Sequence, residues 1–127
     1  MILSLMAWVF IRAFFIFEKL YIKDCMIYFT QLIYIKEGQE EIFHQFESIV
    51  LPLLKKYNGS LLLRIRPGND AFVEYSIEKP YEIHLVEFES EEGFKNYSKD
   101  EERTKFLQLK EQSIKASVLY KGEKVSF

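Results

Sequence analysis

The stretch KDCMIYFTQLIYIKEG, residues 23–38, decides how this chain is read. Its centre, IYFTQLIYI (27–35), is dense in β-branched and aromatic residues and short enough for a single strand. Lys36 to Gly38 then makes a turn, and a helical spacing of apolar residues starts at Gln39. A methionine, Met26, stands directly before the strand. From Met26 onward the chain has the texture of one compact domain, whereas the residues before it have a different character.

Those first 25 residues open with MILSLMAWVFIRAFFIF, apolar except for Ser4 and Arg12. Three readings compete. A secretory signal wants a basic start and a small-residue cleavage site; nothing basic precedes Arg12, and FEKLYIKDC offers no Ala-x-Ala. A membrane anchor wants roughly 20 apolar residues, and Arg12 near the centre of this shorter run costs about 2.5–3.5 kcal/mol on insertion scales. The third reading, which the sequence favours, is that translation starts at Met26 and the hydrophobic leader is a mis-assigned start. Setting 25 residues aside leaves 102 of 127, still enough for an independent core.

The composition is 49% hydrophobic and 28% charged, that of a globular chain. Three basic and two acidic residues give the leader +1, so the remainder of a chain of net charge −2 carries −3. Nucleic acid is therefore a poor prospect, because Lys and Arg on phosphates supply most of that affinity. The single cysteine, Cys25, precludes a disulfide or a cysteine metal site within one chain.

Working outward from the first strand, Ile42, Phe43, Phe46, Ile49, Val50, Leu53, Leu54 and Tyr57 recur on one broad helical face. Pro52 is expected to bend that helix, and Asn58 or Gly59 to take the left-handed residue that ends it. SLLLRIR (60–66) is the second strand, and 71–77 forms a short strand or an irregular excursion. YEIHLVEFE (81–89) is the third main strand. Ser90, followed by Glu91 and Glu92, suits a helix start. SKDE (98–101) has the form of a capping box, with a helix expected from there to about Lys115. KASVLYKGE (115–123) is the last strand. The order β-α-β-β-α-β is the ferredoxin-like α+β plan: an antiparallel sheet, strand order 4-1-3-2, with both helices on one face.

The strands then pose a physical problem. Tyr28, Leu32 and Tyr34 point one way from the first strand, and Phe29, Ile33 and Ile35 the other. The second and third strands are also apolar on both faces. Two helices cover only one face, and the simplest cover for the second is another copy of the sheet. The expectation is a homodimer packed through its sheet face, closing an α+β barrel.

These features resemble the dimeric α+β barrel superfamily, and within it the uncharacterised DUF1330-type family. The resemblance is carried by LPLLKKYNGSLLLR (51–64), by EKPYEIHLVEFESEEGFKNY (78–97) with its Phe88-Glu89-Ser90 signature, and by SKDEERTKFLQLKEQSIKASVLYKG (98–122). It spans nearly all of 26–122 and stops at Met26. It implies the fold far more than an activity, since these are packing and turn motifs. Relatives of this kind include cofactor-independent monooxygenases, haem-degrading enzymes, decarboxylases and isomerases. The haem-degrading pattern implies an Asn, a His and a Trp; the only tryptophan here is Trp8, outside the domain.

Gln31, Arg64 and His84 share a strand parity that places them on one sheet face, with Ser117 as a fourth. An amide, a guanidinium and an imidazole under an apolar roof suit a carboxylate or an enolate. In a catalytic reading His84 is the base and Arg64 the anion partner. The bland alternative, which the pattern favours, is that Arg64 or Arg66 pairs with Glu82 across strands and His84 is a satisfied interface residue. His44 is expected to be solvent-exposed, and with His84 it has no metal-ligand spacing.

The expectation is thus a cytoplasmic dimeric domain that binds a small organic ligand, without metal or cofactor. A cofactor-independent monooxygenase or isomerase is the alternative. A structural dimer is a third, tethered to membrane only if residues 1–25 are retained as an anchor.

Overall fold

The structure, a computed structural model, describes residues 26–126. The leader, Cys25 and Trp8, with the late-start, anchor and signal readings placed on them, lie outside the described residues. Among the described residues no helix is long and apolar enough to cross a membrane.

Strand β1 (Ile27–Ile35) leads through a turn at Gly38, whose φ is +79°, into helix α1 (Glu40–Val50). The apolar face continues beyond α1 as a 3-10 helix, Leu51–Tyr57. The bend expected at Pro52 takes this form. Proline lacks the N–H that an α-helix interior needs, and here it stands in the first turn of the tighter helix, where that N–H is not required. Asn58, in the left-handed conformation with φ 57°, ends it. Strands β2 (Gly59–Ile65) and β3 (Glu82–Phe88) follow. Between them 71–77 is no strand; a single 3-10 turn, Asn69–Ala71, precedes an irregular excursion.

The second helical segment differs from expectation. It is three short helices, α2 (Glu91–Ser98), α3 (Glu101–Lys105) and α4 (Leu107–Ser113), before β4 (Ile114–Gly122). Ser90 caps α2 as expected, its hydroxyl accepting from the Gly93 N–H at 3.1 Å. The SKDE capping box does not form. Ser98 is the last residue of α2 and donates to the Phe94 carbonyl, while Asp100 caps α3 by accepting from the Arg103 N–H at 2.9 Å. A carboxylate competes for the orphan N–H groups better than a hydroxyl, and Asp100 has further donors to hold it there.

The sheet is antiparallel with strand order β2-β3-β1-β4, the expected ferredoxin-like arrangement. A bulge at Leu62 is the feature that positions side chains. Leu61 pairs with Val86, but Leu63 pairs with Leu85 and Arg64 with His84. The extra residue puts Leu61 and Arg64, three apart, on the same face. On that face lie the helices, and Phe29, Ile33, Phe43, Phe46, Val50, Leu54 and Phe88 are buried. Phe29 stacks on Phe94 at 4.1 Å, and Phe88 meets both rings edge-on, at 6.1 and 5.7 Å. The opposite face of the chain is open: Leu63, Ile65, Val118 and Tyr120 are exposed there beside Tyr28 and Leu85.

Gly59 is needed for close approach. A Cβ there would stand 2.6 Å from the Phe88 ring, whose own surroundings leave it 1% exposed. Gly59→Ala is expected to lower stability by about 1–3 kcal/mol, the usual cost of overpacking, read as a lower urea midpoint with an unchanged m-value.

Candidate functional site

Residues Gln31, His84 and Arg64 form one cross-strand row: Gln31 opposes His84 on β3, which opposes Arg64 on β2. Ser117, opposite Ile33 on β4, lies on the same helix-covered side. The three residues therefore share one face, as strand parity allowed, and that face is the helix-covered one. Beside this row stands a residue the catalytic reading did not use.

Glu82 on β3 is buried, with 1% of its side chain exposed. Arg64 Nε donates to Oε1 at 2.7 Å and Nη2 to Oε2 at 3.2 Å. Arg66, two residues on, donates to Oε2 from Nε at 3.1 Å and from Nη2 at 2.5 Å. His84 Nε2 is 2.8 Å from Oε1. Burial opposes the charge on Glu82, yet the hydrogen bonds from Arg64, His84 and Arg66 outweigh it and hold the carboxyl at about 2. The cross-strand pairing of Arg64 and Arg66 with Glu82 is thus present, and it commits the Arg64 guanidinium.

His84 is buried, and burial lowers its pKa against the opposing pull of Glu82. Its ring is accordingly neutral at pH 7. A carboxylate only accepts, so Nε2 carries the proton and Nδ1 is the nitrogen left to accept. His44 is not the solvent-exposed residue expected. Its Nε2 is 2.7 Å from the Tyr81 hydroxyl and 2.9 Å from Arg66 Nη2, and its ring stacks on Tyr81. The excursion between β2 and β3 folds back over α1 and brings Tyr81 to it.

A cavity of about 320 Å³ lies between this face and the helices. Phe29, Phe88, Phe94, Leu54 and Leu119 make its apolar wall, while Gln31, His84 and Ser117 reach it from the sheet. Glu47, Tyr97, Arg103 and Lys110 reach it from the helices. Glu47 is 5% exposed, and burial raises its carboxyl to about 7 despite nearby Arg64, Arg103 and Lys110. Burial likewise pushes the Tyr97 hydroxyl to about 12, and it donates to the Val50 carbonyl at 3.0 Å. Burial, with the charge of Arg103, lowers Lys110. Arg103 Nε is buried without a hydrogen-bond partner.

Sequence reading passed over Glu47, Arg103 and Lys110. The signal was present: Glu47 follows Phe43 by four and precedes Val50 by three, on the apolar stripe of α1, and 103 and 110 are seven apart. No group of three or more metal-ligating side chains occurs among the described residues.

Beneath α3, Asp100 is held by Tyr57, the Arg103 N–H and Lys56, with the Tyr57 hydrogen bond the largest of the effects that keep its carboxyl well below the usual range. That cluster fixes where Arg103 enters the cavity.

No family model matches this chain, and no curated protein matches it. Solved structures do. A protein of unknown function from Rhodopseudomonas palustris superposes with TM-score 0.70 at 11% identity, over 81% of this chain and 85% of that one. A dimeric protein of unknown function and ferredoxin-like fold from Bacteroides fragilis gives TM-score 0.55 at 12% identity, over 78% and 96%. A putative antibiotic biosynthesis monooxygenase from Chloroflexus aurantiacus gives 0.53 at 12% identity, over 80% and 95%. At these identities the likeness is one of fold, and the fold is ferredoxin-like α+β.

The raised Glu47 carboxyl carries a stability signature. An acid whose folded pKa lies above its unfolded value costs stability as pH rises between the two, here from about 4.5 to about 7. The loss is about 3 kcal/mol at 1.36 kcal/mol per pKa unit. His84, lowered on folding, acts in the opposite sense below its ordinary pKa, so the variant comparison is the clean one. Glu47→Gln is expected to be more stable than the wild type at pH 8 by roughly that amount, with the difference vanishing near pH 4, in urea titrations at both pH values.

Proposed function

We propose that this chain is a dimeric α+β barrel protein that binds a small, partly apolar organic molecule between its sheet and its helices. The observation that carries the ligand reading is the cavity: apolar walls from both layers converge on a few polar groups, the usual composition of a small-molecule site. Dimerisation through the sheet is supported by the open apolar face, where Leu63, Ile65, Val118 and Tyr120 lie in water in the isolated chain. The Bacteroides fragilis protein of the same fold, described as dimeric, supports it further. The finer likeness to the DUF1330-type family rests on the proline-containing segment 51–64 and on Phe88-Glu89-Ser90. A cytoplasmic location belongs to the same proposal, on the globular, mildly acidic composition of residues 26–127.

One arrangement favours a second reading, an enzyme of the cofactor-independent monooxygenase or isomerase type. His84 is neutral, and its ring is oriented by Glu82 so that Nδ1 is the basic nitrogen. A base held this way by a carboxylate suits proton abstraction from a quinol or an enolisable carbonyl compound. Arg64 is bound to Glu82 and would act through it rather than on a substrate.

Light scattering on the purified chain is expected to give twice the monomer mass. Leu63→Glu, which places a carboxylate on the open face without touching the core, is expected to give the monomer. A wild-type monomer would sink the barrel reading. For the second reading, oxygen consumption with 1,4-naphthohydroquinone above its autoxidation rate is expected to vanish in His84→Ala; equal rates in the two proteins would remove His84 as base.

A further inference from the structure

The helix side of the cavity has an excess of positive charge that the fold does not use. Arg64 and Arg66 are consumed by Glu82, and Lys56 by Asp100. Arg103 and Lys110, by contrast, take part in no ion pair among the described residues. Arg103 is held in place rather than mobile: Nη1 donates to the Ser98 carbonyl at 3.3 Å, and the guanidinium sits 5.3 Å above the Tyr97 ring. Its Nε nevertheless lies buried with its proton unanswered. Buried N–H groups are nearly always paired, so an orphan lining a cavity points to an acceptor that arrives with a ligand.

Glu47 is the acidic group beside the two cations, and it feels both of them. It is faced by Arg64 from β2, by Glu82 and His84 from β3, by Tyr97 from α2, by Arg103 from α3 and by Lys110 from α4. With His84 neutral and Glu82 offset by two arginines, the cavity near α3 and α4 is electropositive at neutral pH. Phe29, Phe88 and Phe94, packed against one another, line the same cavity and offer ring surface and no donors.

We propose that the cavity takes an amphipathic organic acid, whose carboxylate lies between Arg103 and Lys110 and whose apolar body packs on Phe29, Phe88 and Phe94. This rests on the small-molecule reading above and narrows it. An amine is repelled by the two cations, and a neutral ligand leaves the positive charges of Arg103 and Lys110 uncompensated. Carboxylate binding also requires Glu47 to keep its proton, because two carboxylates between the same cations repel one another. Apparent affinity therefore follows the protonated fraction of Glu47, about tenfold lower at pH 8 than at pH 6 for a carboxyl titrating near 7.

The test is titration calorimetry of the full chain with three probes of one shape: 4-phenylbutyrate, 4-phenylbutanamide and 4-phenylbutylamine. The acid is expected to bind at least tenfold more tightly than the amide, and the amine not at all. Lys110→Met and Arg103→Gln are each expected to weaken the acid tenfold or more, so that most of its preference over the amide is lost, while an unchanged far-UV circular dichroism spectrum certifies that the variants are folded. Glu47→Gln is expected to bind the acid equally at pH 6 and pH 8. If acid and amide bind alike, or if neither cation variant changes the acid, the organic-acid inference is overturned and the small-molecule site stands. If none of the three binds to the wild-type chain, the small-molecule reading falls together with it.

Discussion

A carboxylate buried where the inner strand β3 begins governs this structure. Glu82 sits on β3, with Ile33 of β1 on one side and β2 on the other, and an isolated charge there would cost several kcal/mol. Arg64, Arg66 and His84 satisfy it together. That requirement reaches back into the backbone. Arg64 and Arg66 alternate with Leu63 and Ile65, so the strand must present both arginines to the helix side and both aliphatics to the opposite side. The same strand must also present Leu61 to the helix side, opposite Val86. Strict alternation allows only one of these, and the bulge at Leu62 reconciles them.

The same ion cluster orients the groups around it. By accepting a hydrogen bond from the His84 Nε2–H, Glu82 sets which ring nitrogen is basic. By holding Arg66, it brings that side chain against His44 and over Tyr81, whose ring lies 4.9 Å from the guanidinium carbon. The excursion between β2 and β3 is thereby pinned to α1. Stability and site geometry are one arrangement here, and a change at Glu82 would disturb both.

On the other side of the cavity the division of the second helical segment matters most. Tyr97, Arg103 and Lys110 come from three separate helices, so each approaches the cavity from its own direction. Asp100 is the joint between the first two. Bound by Tyr57 and Lys56 from the end of the first helical segment, it ties α3 to the layer already packed on the sheet. A hydroxyl at Ser98 has no comparable set of donors, which is why the capping box written in SKDE yields to the aspartate two residues later.

Much of this was legible before any coordinates. The β-branched and aromatic runs located β1, β2 and β3, the spacing from Ile42 to Tyr57 located the first helical segment, and parity allowed Gln31, Arg64 and His84 a shared face, which the strand register then fixed. These properties depend on neighbours in sequence, where the periods of strand and helix dictate which way a side chain points. The sequence determined, in addition, that both sheet faces are apolar. Tertiary structure alone decided which charges cancel. His44 looked exposed because its helix position is polar, and it is covered because Tyr81 arrives from far along the chain. Glu47 looked like an ordinary helix glutamate, and its protonation is set by burial against residues from five other elements. Pairing and charge state depend on what stands within a few ångströms in space, and periodicity carries direction but not distance.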